Sequence, residues 1–357
     1  GLFSTWGIVL GLLFTMHPEK VSSAGFDYAG MTPVQYALTQ TGVILHYLRL
    51  IIFPAPLVFD YNGWPVTSRP WDVLPQVLGF VLFLGLIGWA LWKQPRFGFL
   101  GLWFLLILSP SSSIMPIADV AFEYRVYLAM AGIIVGIIIG LEMVLQKIFH
   151  DPRERKIVFI TVVGTIVLGM SFMTIQRNRD YRDELTLWQD TLRKRPDNPR
   201  ASTIVGVHYF DRGLFAQAEQ YYRRALNLNP ADAIVHNNLG MLFVEQDRYA
   251  EAKEHYHQAL GLPNSPKGTV YNNLGVVYLR EKKYDQVLEE CEKAIQSGFH
   301  DAPVFSNYGI ALTRLGRYRE AVPYFQKALA IAPDFAEAKR VLREAVSHLN
   351  TPAPDSL

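Results

Sequence analysis

Hydrophobic and polar positions divide this chain into two halves of different character. Before about residue 176 the chain consists largely of long apolar runs, whereas the part beyond it mixes apolar and polar residues as soluble helices do. A helix needs about 20 predominantly apolar residues to cross a bilayer. Four runs are predicted to span a membrane: Val73–Trp92, Phe97–Ser109, Val126–Leu145 and Ile157–Ile175. The second of these is short, and Ser111–Ile117 is the stretch that would lengthen it.

Two further apolar runs precede these four. Gly1–Thr15 is too short to span and has no basic flank, so we interpret it as the tail of a helix. The chain is then expected to be the C-terminal part of a longer membrane protein. Tyr36–Phe53 carries His46 and Arg49 among its apolar residues. This run is compatible with a spanning, a re-entrant or an interfacial helix, of which we favour the last two.

The second half of the chain repeats. Glycines recur at spacings of 34, 35 and 34 residues, each in a similar register: Gly206, Gly240, Gly275 and Gly309. Small residues at this period, with aromatic residues between them, are typical of tetratricopeptide repeats (TPRs), each of which is a pair of helices. We therefore predict an all-α protein in which a multi-spanning transmembrane domain (1–176) precedes a TPR α-solenoid (177–350).

The predicted solenoid begins with a half-repeat and ends with a capping helix. The segments are the half-repeat 180–197, the repeats 199–232, 233–267, 268–301 and 302–335, the capping helix 336–349 and a disordered tail 351–357. A polar last helix is expected because a solenoid otherwise exposes the apolar face of its final repeat.

The order of the spans predicts the topology. Four crossings place the loop at 54–72, the segment 110–127 and everything after 176 on one side of the membrane. The two loops on the other side (KQPR and QKIFHDPRERK) are basic, which is typical of cytoplasmic loops. Arg177 and Arg179 argue weakly for the reverse. We expect an integral protein of a bacterial inner membrane whose repeats face the periplasm, or an organelle lumen.

Composition and charge argue against several classes of function. A formal net charge of +2 gives no reason to expect a nucleic-acid partner. The lone cysteine, Cys291, excludes an internal disulfide framework and a cysteine metal cluster, and its position predicts burial in the third repeat. The sequence has no zinc-binding spacing, phosphate-binding glycine loop or nucleophile elbow. The histidines of the repeats are expected at the surface: His208, His236, His255 and His257.

Asparagines recur just before the anchor glycines of the repeats. They are Asn237, Asn238, Asn272, Asn273 and Asn307. The first helices of TPRs line a concave groove, and a row of carboxamides there would offer both donors and acceptors to the backbone of a bound peptide. We predict a peptide-binding groove. The alternative is that asparagine is simply common at this position of the repeat.

A polar segment, 110–127, lies between apolar runs and carries Asp119, Glu123 and Arg125. Ionisable residues at membrane depth are functional candidates, and a guanidinium there is suited to bind a phosphate through two parallel hydrogen bonds. The alternative is a solvated loop with a structural salt bridge. His46 and Arg49 are weaker candidates, and Asp60 and Tyr61 are weaker again. For the first two, interfacial snorkelling is the alternative.

The order of these elements resembles a known family. An amphipathic segment (Tyr47–Tyr61), a spanning pair leading into Ser109–Gly132, and a join into repeats at Trp188 are similar to transmembrane-and-TPR glycosyltransferase-like proteins. These are related to protein O-mannosyltransferases of the polyprenol-dependent GT-C class. The resemblance covers most of the chain, and the order of the elements is more specific than any one motif.

The resemblance implies a polyprenyl-phosphate sugar as donor, a membrane-lipid environment and a protein acceptor held by the repeats outside the cytoplasm. It implies that Glu123, Arg125 and Tyr127 form the family's E-x-R-x-Y-L element, with Arg125 on the donor phosphate and Asp119 nearby. Ala129 stands where the family has proline. The family's acidic catalytic motif lies in a first external loop that this sequence does not contain, so the chain alone is expected to be inactive. A requirement for a divalent metal stays open.

Two other functions fit the same pattern. One is a non-enzymatic membrane-anchored TPR scaffold for protein–protein interaction. The other is an enzyme similar to O-antigen ligases or polymerases, although such enzymes have a long external loop with histidine and arginine, and segment 110–127 is short and has no histidine.

Overall fold

The computed structural model describes residues 32–53, 57–61, 64, 70–109, 112 and 126–350. Within these ranges the chain is helical and contains no β-strand, which confirms the predicted all-α fold. The segments at 1–15, 113–125 and 351–357 lie outside the described residues. Contacts group the chain into two compact units, Gly1–Ala201 and Ser202–Leu357, each with its own hydrophobic core.

The first unit contains six α-helices among its described residues. They are α1 Pro33–Ile52, α2 Leu74–Lys93 (preceded by a 3₁₀ turn, Pro70–Val73), α3 Pro95–Leu108, α4 Val126–Ile148, α5 Pro152–Asp180 and α6 Glu184–Lys194. Thr32 caps α1 with a reciprocal pair of hydrogen bonds to Gln35, and Pro33 occupies the first turn, where a missing N–H costs nothing.

Three helices of this unit are long and apolar enough to cross a membrane, within α2, α4 and α5 (Trp71–Lys93, Leu128–Ile148 and Pro152–Gln176). Their apolar side chains face outward: Leu82 on α2 is 65% exposed and Leu168 on α5 is 72% exposed. Such faces suit lipid rather than water. Helix α3 has 14 residues. At 1.5 Å per residue it measures about 21 Å, less than the roughly 30 Å of a hydrocarbon core.

Glycines let α2, α3 and α4 pack closely. A Cβ atom added at Gly101 of α3 would lie 2.7 Å from Ile87 Cγ1 of α2, and one added at Gly132 of α4 would lie 2.9 Å from the Leu100 carbonyl oxygen. Neither position has room for a side chain. Small residues at such crossings bring helix backbones together, which is how helices associate in lipid.

Helix α1 forms part of the core of this unit although it is not among the candidate spans. Tyr36, Val43 and Tyr47 are fully buried, in one cluster with Phe104 of α3 and Ala129 of α4. Buried polar residues accompany them on the same helix (Thr39, Gln40 and Thr41).

The repeat helices follow from residue 199, and α7 crosses the division between the two units. They are α7 Pro199–Asp211, α8 Phe215–Leu228, α9 Ala233–Glu245, α10 Tyr249–Gly261, α11 Lys267–Arg280, α12 Tyr284–Gln296, α13 Ala302–Arg314, α14 Tyr318–Ile331 and α15 Ala336–Asn350. Helices α9, α11, α13 and α15, the first helices of successive repeats, contact one another in sequence. This is the stacking expected of a solenoid.

The anchor glycines mark the point where the two helices of a repeat meet. A Cβ at Gly206 would lie 2.7 Å from the ring of Tyr222, and one at Gly309 would lie 2.8 Å from Phe325 Cζ. In the third repeat the opposing residue is Cys291, whose Sγ would be 3.3 Å from a Cβ at Gly275. Cys291 is fully buried, which confirms its predicted place in the core.

We expect the glycine that faces an aromatic ring, Gly309, and the glycine that faces a sulfur atom, Gly275, to differ in how far substitution lowers the stability of the repeats. Gly309→Ala forces a methyl group into an aromatic ring and should lower the stability of the repeats by about 1–2 kcal/mol, an overpacking cost reduced by the higher helix propensity of alanine. Gly275→Ala meets only a sulfur atom and should be nearly neutral. The measurement is the thermal unfolding midpoint of the chain in detergent by circular dichroism.

Gly261→Ala serves as the control, because nothing lies within 4 Å of a Cβ at that position. It should leave the midpoint unchanged or raise it slightly. Equal losses for Gly309→Ala and Gly275→Ala would show that the opposing ring does not set the tolerance.

Candidate functional site

A loop of the first unit is fastened to helix α6. The Nζ atom of Lys194 donates to the carbonyl oxygen of Leu57 at 2.8 Å. The ring of Phe59 packs edge-on against Trp188, with ring centroids 5.2 Å apart, and against Tyr181 at 6.0 Å. These contacts place α6, the predicted half-repeat, with the first unit rather than with the other repeat helices.

Asn198 completes the attachment. Its side chain is fully buried, and its Nδ2 donates to the carbonyl oxygen of Asp60 at 3.1 Å. Its Oδ1 accepts from the backbone N–H of Ala201 at 2.9 Å and so caps α7. The buried carboxylate of Asp60 pairs with Arg200 at 3.4 Å. The structure thus engages Asp60, one of the predicted weaker site residues, in holding the start of the repeats.

His46 and Tyr61, two other predicted residues, do come together. The Nε2 atom of His46 and the hydroxyl of Tyr61 share a hydrogen bond of 3.1 Å. The Trp64 ring lies edge-on to the imidazole at a centroid distance of 5.2 Å. Burial, reinforced by the positive charges of Arg49 and Arg195, lowers the pKa of His46 from 6.5 to about 4. The imidazole is therefore uncharged at neutral pH.

The two arginines whose charges act on His46 lie on different elements. Arg49 lies one turn further along α1 and is exposed. Arg195 directly follows α6, and its guanidinium pairs with Asp197, with Nε 3.1 Å from Oδ1. We call these five residues the His46 cluster: His46, Arg49, Tyr61, Trp64 and Arg195. The sequence alone did not indicate Arg195, because nothing in its local pattern links it to α1.

The leading predicted residues lie elsewhere. Asp119, Glu123 and Arg125 fall outside the described residues. Tyr127 belongs to the backbone of α4, and its side chain is likewise outside the described part. Their assignment to the donor phosphate stays a prediction.

The asparagines of the repeats bond to one another. Asn273 Nδ2 donates to Asn237 Oδ1 at 2.9 Å, and Asn307 Nδ2 donates to Asn272 Oδ1 at 3.0 Å. Each bond joins the first helices of consecutive repeats. Asn237 and Asn272 are buried, whereas Asn238 is half-buried. The predicted row of amides is present, and part of its hydrogen-bonding capacity links the repeats.

Apolar side chains flank this row and remain open. Ile234 is 57% exposed, and Met241 is 37% exposed. Met241 also receives a weak hydrogen bond from Asn237 Nδ2, 3.6 Å from its sulfur. Amide groups beside exposed apolar side chains are a suitable lining for an extended peptide.

Three repeat histidines are half-buried, unlike the surface positions predicted for them: His208, His236 and His255. His236 and His255 are half-buried, and their Nδ1 atoms lie 3.0 Å apart in a hydrogen bond. Nε2 of His236 lies 3.3 Å from the carbonyl oxygen of Pro230. In the described part of the chain, no group of three or more His, Cys, Asp or Glu residues is placed to hold a metal ion.

Comparison with known proteins identifies relatives that carry TPRs. The chain is 27% identical over 152 residues to Protein O-mannosyl-transferase Tmtc3 of Drosophila melanogaster, covering 42% of this chain and 16% of that protein. It is 26% identical over 200 residues to a Protein O-mannosyl-transferase of Caenorhabditis elegans, covering 54% of this chain and 28% of the relative. The chain resembles the TPR-carrying protein O-mannosyltransferases. The match spans less than a third of the length of either relative.

Family models also match the repeats. Tetratricopeptide repeat models match residues 176–233, 237–262 and 267–334. Among solved structures, Pseudomonas aeruginosa PilF is 25% identical, with a TM-score of 0.39 over 42% of this chain and 68% of that one.

We expect Asn198 to be essential for the attachment between the loop and the repeats. Asn198→Ala removes a helix cap and a buried hydrogen bond and should destabilise the protein by about 2 kcal/mol. Asn198→Asp keeps the capping oxygen but cannot donate to Asp60. This variant should therefore also lose a measurable amount of stability. Asn229, exposed and likewise followed by proline, is the matched control. The measurement is the thermal unfolding midpoint in detergent. Equal decreases of this midpoint for Asn198→Ala and Asn229→Ala would contradict the role of Asn198.

Proposed function

We propose that this chain is part of a membrane glycosyltransferase that transfers a sugar from a polyprenyl-phosphate donor to a protein acceptor recruited by its TPRs. The proposal rests on the combination of a sequence similarity with the order of the helices. In a chain similar to protein O-mannosyltransferases, a helix long enough to span a membrane, α5, leads directly into the repeats.

The donor phosphate is assigned to Arg125, oriented by Glu123 and assisted by Tyr127 and Asp119. A guanidinium suits the role because it offers two parallel donors to a phosphate and keeps its charge at any pH the enzyme meets. The acceptor hydroxyl needs a general base, normally a carboxylate or imidazole within hydrogen-bond reach. We assign that base to no residue of this sequence.

The contacts of the loop at 57–61 support the proposed topology. Leu57 and Asp60 touch residues that follow α5, so this loop and the start of the repeats lie on one side of the membrane. The number of crossings between them must then be even. Three helices are long enough to cross, and in this proposal the shorter α3 supplies the fourth crossing. The basic loops favour the cytoplasm for the opposite side.

The repeats supply the acceptor site in this proposal. The amide row and the exposed Ile234 and Met241 suit the backbone and apolar side chains of an extended peptide. The same surface would serve a non-enzymatic scaffold, which is the second candidate function. Sugar transfer separates the two.

Topology can be tested with an impermeant thiol reagent in intact cells. Burial raises the pKa of the native Cys291 to about 12, so that thiol should stay silent and no cysteine-free background is needed. Asn350→Cys should react, because the repeats lie outside, whereas Arg153→Cys should react only after permeabilisation. The reverse pattern would refute the proposed orientation.

The enzymatic role is tested by sugar transfer in membranes that contain the full-length protein. Labelled polyprenyl-phosphate sugars are supplied, and label is measured in protein. Arg125→Ala should abolish transfer, and Arg125→Lys should lower it about tenfold or more, because the ammonium keeps the charge but loses the two-pronged contact.

The matched control for this assay is Arg153→Lys, on the opposite loop, which should transfer normally. Full activity of Arg125→Lys would remove the proposed role of Arg125. No label with any donor, together with peptide binding by the repeats, would favour the scaffold.

A further inference from the structure

The first helices of three consecutive repeats end in charged side chains whose sign changes along the row. Glu245 is the last residue of α9, Arg280 of α11 and Arg314 of α13, and all three are exposed. Each lies seven residues, or two helical turns, after an asparagine of the amide row: Asn238, Asn273 and Asn307. Residues at this spacing share one face of a helix. The charges therefore continue the face that carries the amides, with an acidic group on α9 and basic groups on α11 and α13.

Two of these three charges are open. The guanidinium of Arg314 donates to the carboxylate of Glu344 on α15 at 2.6 Å, which neutralises it. In the described part of the chain, neither Glu245 nor Arg280 takes part in an ion pair, because the charged residues nearest to them in sequence are paired elsewhere. These pairs are Arg248 with Glu219 and Glu251, and Glu281 with Lys253 and Lys283. The groove thus presents one free carboxylate and one free guanidinium on neighbouring helices.

The position of Glu245 is unfavourable for its own helix. The C-terminal end of a helix carries a partial negative charge, so a basic side chain there is stabilising and an acidic one is destabilising. Arg280 and Arg314 suit the ends of α11 and α13 for this reason, whereas Glu245 at the end of α9 does not. Helix stability therefore explains the two arginines but not the glutamate. A cation supplied by a bound partner would relieve the repulsion at Glu245.

The amide row sets the spacing of groups along the groove. The hydrogen bond from Asn273 to Asn237 joins α11 to α9, and that from Asn307 to Asn272 joins α13 to α11. Helices in such contact lie about 8–10 Å apart. A peptide in the polyproline II conformation rises about 3.1 Å per residue with three residues per turn, so every third side chain returns to one face after about 9 Å. The period of such a peptide matches the period of the repeats.

We propose that the groove of α9, α11 and α13 selects an extended peptide that carries a basic and an acidic side chain three residues apart. The basic side chain lies beside Glu245 and the acidic one beside Arg280, while the amides of Asn238 and Asn273 bind the backbone. The exposed apolar side chains of the groove contact the rest of the peptide. This inference rests on the proposed role of the repeats as the acceptor site, and it names the segment they take as one of mixed charge.

The test measures the fluorescence anisotropy of labelled peptides added to the full 357-residue chain in detergent at low salt. One backbone of valine, threonine and proline carries Lys-x-x-Glu, Glu-x-x-Lys, Lys-x-x-Lys, Glu-x-x-Glu or Gln-x-x-Gln. The tighter of the two mixed-charge peptides should bind about threefold or more tightly than any of the other three, because only a mixed pair satisfies both open charges. The two mixed orders are both included because either backbone direction satisfies the proposal.

Reversing one charge at a time should change the preferred peptide. Arg280→Glu leaves two acidic groups in the groove and should make Lys-x-x-Lys the tightest ligand. Glu245→Arg leaves two basic groups and should make Glu-x-x-Glu the tightest. Both side chains are exposed at helix ends, so each variant should fold, and either one alone is sufficient to test the proposal.

Arg319→Glu is the matched control, because Arg319 is exposed on α14, the second helix of its repeat. It should keep the preference of the wild type for a mixed-charge peptide. The proposal is overturned if the wild type binds Gln-x-x-Gln as tightly as the mixed-charge peptides, if it binds none of the peptides, or if Arg280→Glu and Glu245→Arg keep its preference.

Sugar transfer is measured separately, so that the two proposals can fail independently. Transfer of label to protein without any charge preference in peptide binding would sustain the enzyme and remove this selectivity. Charge-selective binding without sugar transfer would sustain the selectivity and favour the scaffold.

Discussion

A single buried asparagine joins two parts of this chain that are far apart in sequence. Asn198 donates to the backbone of Asp60 with one atom and caps the first repeat helix with the other. An amide can do both because it has a donor and an acceptor on one rigid group. The burial of Asp60 and the place of the loop beside the start of α7 depend on this contact and on that of Lys194.

Within the repeats, a different constraint operates. Each pair of helices closes around a glycine, and consecutive first helices are linked by amide-to-amide bonds. The linkage has a direction, since the later repeat donates to the earlier one. It ends at Ser306, which takes the place of Asn237 and Asn272 in the fourth repeat, while the capping helix presents the buried Val341 where a donating asparagine would stand. The amide row thus ends where the capping helix begins.

Sequence patterns predicted the fold well because they report local periodicity. The glycine spacing located the repeats, and the burial of Cys291 followed from its register. Hydropathy located the apolar helices, and α5 extends beyond the predicted span Ile157–Ile175, since the charged first turn Pro152–Lys156 is helical although it is not apolar. A helix continues through polar residues when its backbone bonds are satisfied and no proline or glycine interrupts it.

The candidate site was less predictable, because it depends on contacts between distant segments. Sequence reasoning named His46, Asp60 and Tyr61 as weaker candidates but had no means of adding Arg195. Nor could it show that the Asp60 carboxylate is buried against Arg200 while the Asp60 carbonyl accepts from Asn198. The pairing of His236 with His255 was missed for the same reason. Both residues carry the polar signature of surface positions, yet they satisfy each other across two helices.

The attachment between the loop and the repeats has a mechanical consequence. The covalent chain connects the repeats to the membrane helices through α5, whereas Lys194 and Asn198 add a second route through the loop to α1 and α2. A load applied to the first repeat helix is then shared between two anchors. Hydrogen bonds shear at lower force than a peptide bond breaks, so this second route is the element that would yield first.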